Sequence, residues 1–536
     1  MTTTRLKIER MGYGPEAIAH DGDGKTVFVT GGVPGDTVEA EIDADEARFS
    51  RAHVTKVLEA SPDRVTPPCP FVDVCGGCPW AHLSYETQLA AKRSGVVDAL
   101  VRLGGFPAET AEALVAPIVA PGDPWGYRNK VELAVETQRG RAVVGMHAAG
   151  SAGVVKVPAC PLLDTKFKGV VKAVQGAMNF LAGSRDLGLE RVGIRASRRT
   201  KELEVALWGA PGPFPRPQVA KVLGDATKVT SVVRVMQKGP AKARRIAGIE
   251  RLSGKGSWGE LVGSESMRVS APSFFQVNTR GADKLVSLVM EGLSPTEDEE
   301  AMDLYCGAGT FTLPLARKSG FVSAVESYGP AVRDLRHNLD AANLTNVDPI
   351  GGDAGIEFPD VDADVIVVDP PRAGLAADVV AQLSDQPARA IAYVSCDPAT
   401  LARDLARFRD EGVFEPVSVT PVDLFPQTFH VETVAVLSRK SASKSFIPVS
   451  ISPKDMGLSK EKDQPTYANI RDYVQKTHGM KVSSLYVAQM KAECGLETQA
   501  DRSGDKKQPK CPPEKREAIL DAFRHFGLIG EDETEK

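Results

Sequence analysis

The sequence predicts a multidomain α/β protein built around one doubly wound parallel sheet. The chain has 536 residues, more than a single hydrophobic core usually holds. From about residue 266 to 440, apolar strands alternate with glycine turns and helical segments, which is the pattern of a parallel sheet with crossover helices. Different patterns precede and follow this stretch. We therefore divide the chain into four regions, 1–62, 63–265, 266–440 and 441–536.

Composition and charge place the chain among ordinary globular proteins. It is 42% hydrophobic and 25% charged, which excludes fibrous and disordered classes. The stretch MTTTRLKIERMGYG lacks the apolar core of a signal peptide, and no segment is long enough to span a bilayer, so we expect a cytoplasmic protein without a membrane partner. Because the net charge is −5, a nucleic-acid partner would have to meet local basic patches. RASRRTKE and GPAKARRIAG are candidates, although solvated surfaces explain them equally well.

The other three regions differ in pattern. Residues 1–62 contain KTVFVTGGVPGDTVEAEID and RAHVTKVLEA, whose alternating residues and turn signals predict a small β-barrel. Residues 63–265 combine the amphipathic YETQLAAKRSGVVDALVRLGG with strand-like KVELAVE and ELEVALWG, which predicts a central α+β domain. The polar linker SRKSASKSF, residues 438–446, crosses the boundary at residue 440, and residues 441–536 continue from it as a short helical extension. This extension is either a nucleic-acid-reading module or a docking bundle, and we favour the bundle.

The region 266–440 predicts a nucleotide site at one edge of its sheet. In MDLYCGAGTFTLPLA, Gly307 and Gly309 form the turn between a strand and a helix, where the backbone can approach a ligand. The next strand ends at Glu326, a spacing that suits a carboxylate bound to ribose hydroxyls. The longer G-x-G-x-x-G run of dinucleotide sites is absent, so a single nucleoside such as S-adenosylmethionine fits better.

Two further aspartates follow strands of this Rossmann-like region. Asp353 in GGDAG is placed to contact an adenine, although an ordinary turn aspartate would look the same. Asp369 in VVDPPRAGL stands at a strand end that two prolines stiffen. Burying an unpaired carboxylate is costly, so this motif indicates a binding site rather than packing.

Cys396 lies where the strand AIAYVSC runs into the helix DPATLARDLARF. Asp397 is the predicted N-cap and Pro398 the first helical residue. A helix amino terminus stabilises a thiolate, as a nucleophile requires. A thiolate beside a methyl donor suits C5 methylation of uracil or cytosine, because addition at C6 makes C5 nucleophilic. The C5 proton then needs a base. Glu432 in FHVETVAVLS, with His430 beside it, could be that base, or else an exposed strand-start carboxylate.

The eight cysteines include three that crowd into CPFVDVCGGC. A disulfide framework is a poor explanation for a long chain without an export signal. We therefore interpret the cysteine group as a metal site. Its spacing leaves zinc and an iron–sulfur cluster open.

Five motifs together resemble the RNA uracil-5-methyltransferases that use S-adenosylmethionine. They are SFFQVN, DLYCGAGTF, DPPRAGL, VSCDPATLARDL and HVETVAVL, and the resemblance covers roughly residues 10 to 440. It implies that Cys396 attacks C6 of uracil and that Glu432 removes the C5 proton. It also implies a donor pocket lined by Gln276, Tyr305, Thr310, Glu326, Asp353 and Asp369, with Thr310 standing where relatives often carry Asn.

The resemblance extends to the two regions before the methyltransferase motifs. The barrel is similar to a TRAM domain, an OB-like module that helps to bind RNA. The C-x5-C-x2-C run resembles an iron–sulfur ligand set, Cys69, Cys75, Cys78 and the later Cys160, which implies a structural 4Fe–4S cluster. Ala81 stands where relatives usually carry Gln. Barrel and cysteines together point to the branch that acts on 23S ribosomal RNA, and we expect a monomer. The alternatives are a transfer-RNA uracil-5-methyltransferase, a cytosine-5 enzyme, and a non-catalytic RNA-binding protein.

Overall fold

The computed structural model describes residues 3–138, 141–151, 153–182, 186–240, 244–440, 465, 467–480, 482, 484–496 and 511–530. Within them, four groups of elements follow one another along the chain. The polar linker predicted after residue 440 lies outside the described residues.

The amino-terminal barrel is a curled six-stranded sheet in the order β1-β5-β6-β4-β3-β2, and β1 also contacts β3. Its strands are β1 (Thr3–Lys7), β2 (Arg10–Met11), β3 (Glu16–His20), β4 (Thr26–Thr30), β5 (Thr37–Asp45) and β6 (Phe49–Glu59). Alternation with period two explains the strands, since Val27 and Val29 of β4 are buried while their neighbours are more exposed. Trp80 and Leu83 close the barrel core from outside, and Phe429 packs against it.

The second group contains a seven-stranded sheet in the order β13-β12-β11-β10-β7-β8-β9 and a hairpin, β14-β15. Its helices are α1 (Tyr85–Arg102), α2 (Ala108–Leu114), α3 (Val170–Ala182) and α4 (Arg216–Thr227), with a 3-10 turn at Thr165–Phe167. Its strands are β7 (Lys130–Gln138), β8 (Arg141–His147), β9 (Val154–Val155), β10 (Leu189–Ala196), β11 (Leu203–Gly209), β12 (Ser231–Lys238), β13 (Arg245–Gly254), β14 (Trp258–Val262) and β15 (Glu265–Val269).

The third group is a seven-stranded sheet in the order β18-β17-β16-β19-β20-β22-β21. Its first five strands are parallel, and β22 runs antiparallel to both β20 and β21. The helices are α5 (Thr279–Leu293), α6 (Thr312–Ala316), α7 (Gly329–Ala341), α8 (Ala377–Asp385) and α9 (Pro398–Glu411). The strands are β16 (Glu300–Leu304), β17 (Phe321–Glu326), β18 (Val347–Gly351), β19 (Val365–Val368), β20 (Ala390–Ser395), β21 (Phe414–Val422) and β22 (Glu432–Arg439).

Helices cover both faces of this third sheet. In β19, Val365 and Val367 face the core formed with α5, whereas Ile366 and Val368 face the core formed with α8 and α9. Strands buried on both faces read as continuous apolar runs, as VIVV does. The predicted doubly wound sheet is therefore present.

Helices α1 and α2 pack on this third sheet rather than on the second one. Val96, Leu100 and Ala111 share a core with residues of β20, α9 and β21. Bridges join Val115 to Val419 and Val119 to Val422, which extends the sheet beyond β21. The sequence divides the chain at residue 265, whereas these contacts tie part of the segment 63–265 to the methyltransferase-like sheet. The four-region division stays a prediction.

The last group is a bundle of three helices, α10 (Tyr467–His478), α11 (Ser484–Glu493) and α12 (Pro513–His525). It has its own apolar core, formed by residues such as Ile470, Met490 and Phe523. The Arg471 guanidinium contacts the Glu300 carboxylate at 3.2 Å, so the bundle touches the start of β16. No helix among the described residues is long and apolar enough to cross a membrane.

Candidate active site

Cys396 and Glu432 face each other at the end of the β20–β22 ladder. The antiparallel register pairs Ser395 with Thr433, so the residue after Ser395 stands opposite the residue before Thr433. Glu432 is 3% exposed, and Cys396 is partly buried. Cys396 follows the last residue of β20 and Glu432 is the first residue of β22, so both lie at the same end of the ladder. The charge of Glu432 also raises the pKa of Cys396, which places the predicted nucleophile and base near each other.

Burial and negative neighbours hold the Cys396 thiol protonated in the free protein. Burial raises its pKa to about 11, and the carboxyl group of Glu432 adds to the effect, while the Arg372 guanidinium opposes it. Burial outweighs the thiolate stabilisation that the helix terminus predicts, so the net shift of the Cys396 pKa is upward. The Asp397 carboxylate accepts hydrogen bonds from the Ala399 and Thr400 backbone N–H groups, at 2.9 and 3.1 Å. Asp397 is the N-cap that the sequence predicts.

Glu432 lies in an acidic, buried environment. Burial raises the pKa of its carboxyl group well above the ordinary value, and the nearby charge of Asp369 raises it further. Asp369 is half-buried, and desolvation together with the charge of Glu326 raises its pKa to about 7. The two carboxyl groups therefore hold protons more tightly than solvent-exposed acids.

The strand ends of β16 and β17 form the glycine-turn side of the site. The Glu326 carboxylate accepts hydrogen bonds from the Gly307 N–H at 2.9 Å and from the Tyr328 N–H at 2.6 Å. Gly309 has φ of 101°, and a Cβ there would lie 2.5 Å from a Leu313 methyl carbon, so only glycine fits. Asp303 at the end of β16 accepts a hydrogen bond from the Thr312 hydroxyl at 2.6 Å, and burial raises its pKa to about 8.

Two other predicted pocket residues are linked to this edge. Tyr305 has φ of 65°, a left-handed conformation uncommon for a side-chain-bearing residue, directly after β16. Burial and the charge of Asp353 raise the pKa of its phenol to about 12, which places Tyr305 near Asp353. Asp353 follows β18 and accepts a hydrogen bond from the Gly355 N–H at 3.0 Å, as a turn aspartate does.

Gln276 and Thr310 are the two predicted pocket residues without a hydrogen bond or charge interaction, among the described residues, with Glu326, Asp353 or Asp369. Gln276 is 6% exposed just before α5, and its backbone carbonyl accepts a hydrogen bond from the Asn129 amide at 2.9 Å. Its side-chain oxygen Oε1 is buried without a hydrogen-bond partner. Such an atom fits a ligand group that completes it. Thr310 is partly buried in the glycine turn.

Sequence reasoning missed two residues near the nucleophile. Arg372 follows the two prolines, and its charge lowers the pKa values of Cys396, Glu432 and Tyr13 against the effect of burial. Its position inside DPPRAGL was a signal that the sequence offered. Tyr13 comes from the amino-terminal barrel, where nothing in the local pattern connects it with Cys396.

The four cysteines of the predicted metal site line one cavity. Cys69, Cys75, Cys78 and Cys160 surround a space of about 80 Å³, together with residues including Arg128. All four are free thiols, and burial raises the pKa of Cys78 to about 12. Within the described residues, no group of three or more His, Cys, Asp or Glu side chains is arranged to hold a metal ion.

The fold and the site define a nucleoside-binding transferase. A doubly wound sheet carries acids and a glycine turn at its carboxyl edge, where open α/β sheets bind ligands, and a cysteine beside a buried acid completes that edge. A family model described as tRNA (Uracil-5-)-methyltransferase matches residues 264–354 and 352–440. A TRAM domain model matches residues 2–55.

Curated relatives match nearly their whole length. An uncharacterized RNA methyltransferase of Thermosynechococcus vestitus is 34% identical over 447 residues, which is 81% of this chain and 98% of the relative. One of Gloeobacter violaceus is 35% identical, over 82% of this chain and 96% of the relative. The crystal structure of Pyrococcus abyssi tRNA (uracil-54, C5)-methyltransferase in complex with S-adenosyl-L-homocysteine matches with a TM-score of 0.63 and 25% identity, covering 81% of this chain and 100% of that one.

The chain belongs to the RNA uracil-5-methyltransferase family. It is an RNA methyltransferase that uses S-adenosylmethionine and carries an amino-terminal TRAM domain. The predicted family, the TRAM barrel and the methyltransferase fold are thus confirmed.

Proposed function

We propose that this enzyme methylates C5 of a uridine in 23S ribosomal RNA through a covalent bond between Cys396 and C6. The observation that carries the proposal is the β20–β22 register, which sets Cys396 opposite Glu432 beside the acidic edge of the sheet. A thiol and a carboxyl group close enough for the charge of Glu432 to raise the pKa of Cys396 can act in turn on neighbouring carbons of one pyrimidine ring.

The chemistry follows from the two side chains. The Cys396 thiol gives its proton to solvent water, and its sulfur bonds to C6 while the C5–C6 double bond shifts electrons toward the O4 carbonyl. C5 then takes the methyl group that the sulfonium of S-adenosylmethionine supplies, leaving S-adenosylhomocysteine. Glu432 removes the C5 proton, the C5–C6 double bond re-forms, and the thiolate leaves. Once Glu432 is ionised, its raised pKa makes it a stronger base for this last step than an exposed carboxylate.

The donor pocket in this proposal is formed by Gln276, Tyr305, Thr310, Glu326, Asp353 and Asp369. Glu326 would bind the ribose, because it already lies at the turn through its bond to the Gly307 N–H. The unpartnered Gln276 Oε1 supports a role in binding a ligand there. Asp369 would lie between the methyl donor and the base Glu432, since its charge raises the pKa of the Glu432 carboxyl group.

Cys69, Cys75, Cys78 and Cys160 would hold a 4Fe–4S cluster. Their shared cavity supports this, because four thiolates are the ligand set that such a cluster would take. The cluster would stabilise the local fold. Trp80 lies two residues after Cys78 and is buried in the barrel core. A cluster that holds the cysteine loop in place would therefore also hold Trp80 against the barrel.

Ribosomal RNA is proposed because the chain combines the TRAM barrel with the cysteine-lined cavity. This is the combination that the family resemblance assigns to the branch acting on 23S ribosomal RNA. Transfer RNA is the second candidate, because a solved transfer-RNA uracil methyltransferase of Pyrococcus abyssi matches over 81% of this chain. The target base would be extruded from its stack to reach Cys396.

The test uses transcripts of 23S ribosomal RNA and of transfer RNA, incubated with the full chain and S-adenosylmethionine carrying a labelled methyl. Nuclease digestion and mass spectrometry then locate the label. Label on C5 of a 23S uridine is the expected result, and it should disappear with Cys396→Ala. Label confined to transfer RNA would reject the ribosomal substrate, and methylation by Cys396→Ala would reject the covalent mechanism.

A further inference from the structure

The amino-terminal barrel places one aromatic ring beside the catalytic strand. Tyr13 lies between β2 and β3 and is 40% exposed. The edge of its ring meets the Phe429 ring, with centroids 6.1 Å apart and planes at 84°. Phe429 in turn lies 4.2 Å from the His430 ring and precedes Glu432 by three residues. Tyr13 therefore reaches the segment that carries the proposed base.

Contacts on two sides hold Tyr13 in this position. The Trp80 indole N–H donates to the Gly14 carbonyl at 3.0 Å, which ties the barrel loop to the cysteine segment. On the other side, a Cβ at Gly95 would stand 3.3 Å from the Tyr13 ring, so helix α1 approaches the ring closely at a glycine. Among the described residues the Tyr13 hydroxyl has no hydrogen-bond partner. The ring is fixed, yet part of its surface is open.

The electrostatic surroundings show how near Tyr13 lies to the reacting groups. Burial raises the pKa of its phenol, and charges on Asp397, Cys396 and Glu432 raise it further, while Arg372 opposes them. The phenol therefore stays protonated and neutral across the working pH range. A neutral, exposed aromatic ring is the surface on which proteins stack unpaired RNA bases.

We propose that Tyr13 is a substrate-binding residue that the TRAM barrel contributes to the catalytic centre, where its ring packs against the RNA base that reaches Cys396. The proposal rests on the proposed function, because it takes Cys396 and Glu432 as the reacting pair. It gives the barrel a direct part in presenting the target nucleotide, in addition to general RNA binding.

The experiment compares Tyr13→Ala, Tyr13→Leu and Tyr13→Phe in the full chain. Leucine keeps apolar bulk against Gly95 but lacks a flat face, and phenylalanine keeps the face. Phe180→Ala is the control, because Phe180 is an aromatic residue that is 69% exposed on helix α3, in the second group of elements and outside the proposed site. KM and kcat are measured on whichever transcript the wild-type chain methylates. Affinity for the 23S transcript is measured directly if it methylates neither.

We expect Tyr13→Ala and Tyr13→Leu to raise KM, or the dissociation constant, for RNA about tenfold, the usual effect of losing one base-stacking ring. Tyr13→Phe and Phe180→Ala should stay near the wild type, and affinity for S-adenosylhomocysteine should not change. RNA parameters that Tyr13→Leu leaves unchanged would overturn the proposal, as would an equal loss in Tyr13→Phe. Methylation by Cys396→Ala would instead reject the mechanism on which the proposal rests, so the two failures are distinguishable.

Discussion

Lys92 and Asp423 form a fully buried ion pair, with Nζ 2.5 Å from Oδ1 and neither side chain exposed. The pair joins helix α1 to the loop between β21 and β22, where Lys92 also donates to the Phe425 carbonyl at 3.0 Å. The same loop is held through Gln427, whose N–H donates to the Gln88 side chain at 2.8 Å. Because this loop leads into Glu432, helix α1 supports the catalytic edge.

Replacing Lys92 alone should therefore destabilise the protein strongly. Lys92→Met leaves the Asp423 carboxylate buried without its partner, and we expect a loss of about 3–5 kcal/mol in the free energy of unfolding. The double variant Lys92→Met, Asp423→Leu should recover most of it, because no charge stays buried. Denaturant titration measures both. Equal stability of Lys92→Met and wild type would show that the pair does not support this junction.

Glu432→Gln should trap the reaction after methyl transfer. The amide cannot take the C5 proton, so the Cys396–RNA bond persists and turnover falls by about 10²–10⁴-fold. A denaturing gel should show a protein–RNA adduct that the wild type does not accumulate. Glu415→Gln is the control, since Glu415 is an exposed acid of β21 in the same sheet. Normal turnover in Glu432→Gln would remove this residue as the base.

The reactivity of Cys396 should rise with pH well beyond the range of an ordinary cysteine. With a pKa of about 11, only a small fraction of the thiol is ionised at neutral pH, so alkylation by iodoacetamide should increase about tenfold per pH unit until the pH approaches that value. Arg372→Met should slow alkylation, because Arg372 lowers the pKa. Mass spectrometry of the Cys396 peptide gives the rates. A plateau below pH 9 would contradict the prediction.

Glu326→Gln should weaken donor binding. Losing the charge weakens its bonds to the Gly307 and Tyr328 N–H groups and to the ribose, and a hydrogen bond to a charged group contributes about 1.5–3 kcal/mol. Calorimetry should therefore show about 10- to 100-fold weaker binding of S-adenosylhomocysteine. Glu357→Gln, an exposed acid after β18, should bind as the wild type does. Unchanged affinity in Glu326→Gln would place the ribose elsewhere.

Cys160→Ser should remove the cluster. Anaerobically purified wild type should contain about four irons and four sulfides per chain, and the variant much less, because one of four ligands is gone. Cys494→Ser, in the separate helical bundle, should keep the full content. Zinc in place of iron and sulfide would reject the cluster while leaving the cysteines as metal ligands.

Local patterns in the sequence determined which residues end the strands of the catalytic sheet. Asp303, Glu326 and Cys396 could be placed there, because apolar runs, glycine turns and an N-cap are readable over a few residues. Strands β18 and β21 were not predicted, because their local patterns are weak. β18 has no fully buried residue, and β21 contains Pro416 and Pro421, which weaken a strand signal.

Only the tertiary structure decided what surrounds those strand ends. Helix α1 and Tyr13 precede Cys396 by hundreds of residues in the chain, yet they pack at the same edge, and no local pattern records such contacts. The high pKa of Cys396 is also a tertiary property, because it depends on burial and on the charges of Glu432 and Asp369. The sequence by itself determined the chemical groups of this enzyme, while long-range packing decided their protonation and their neighbours, since free energies of burial and charge depend on distance in space rather than along the chain.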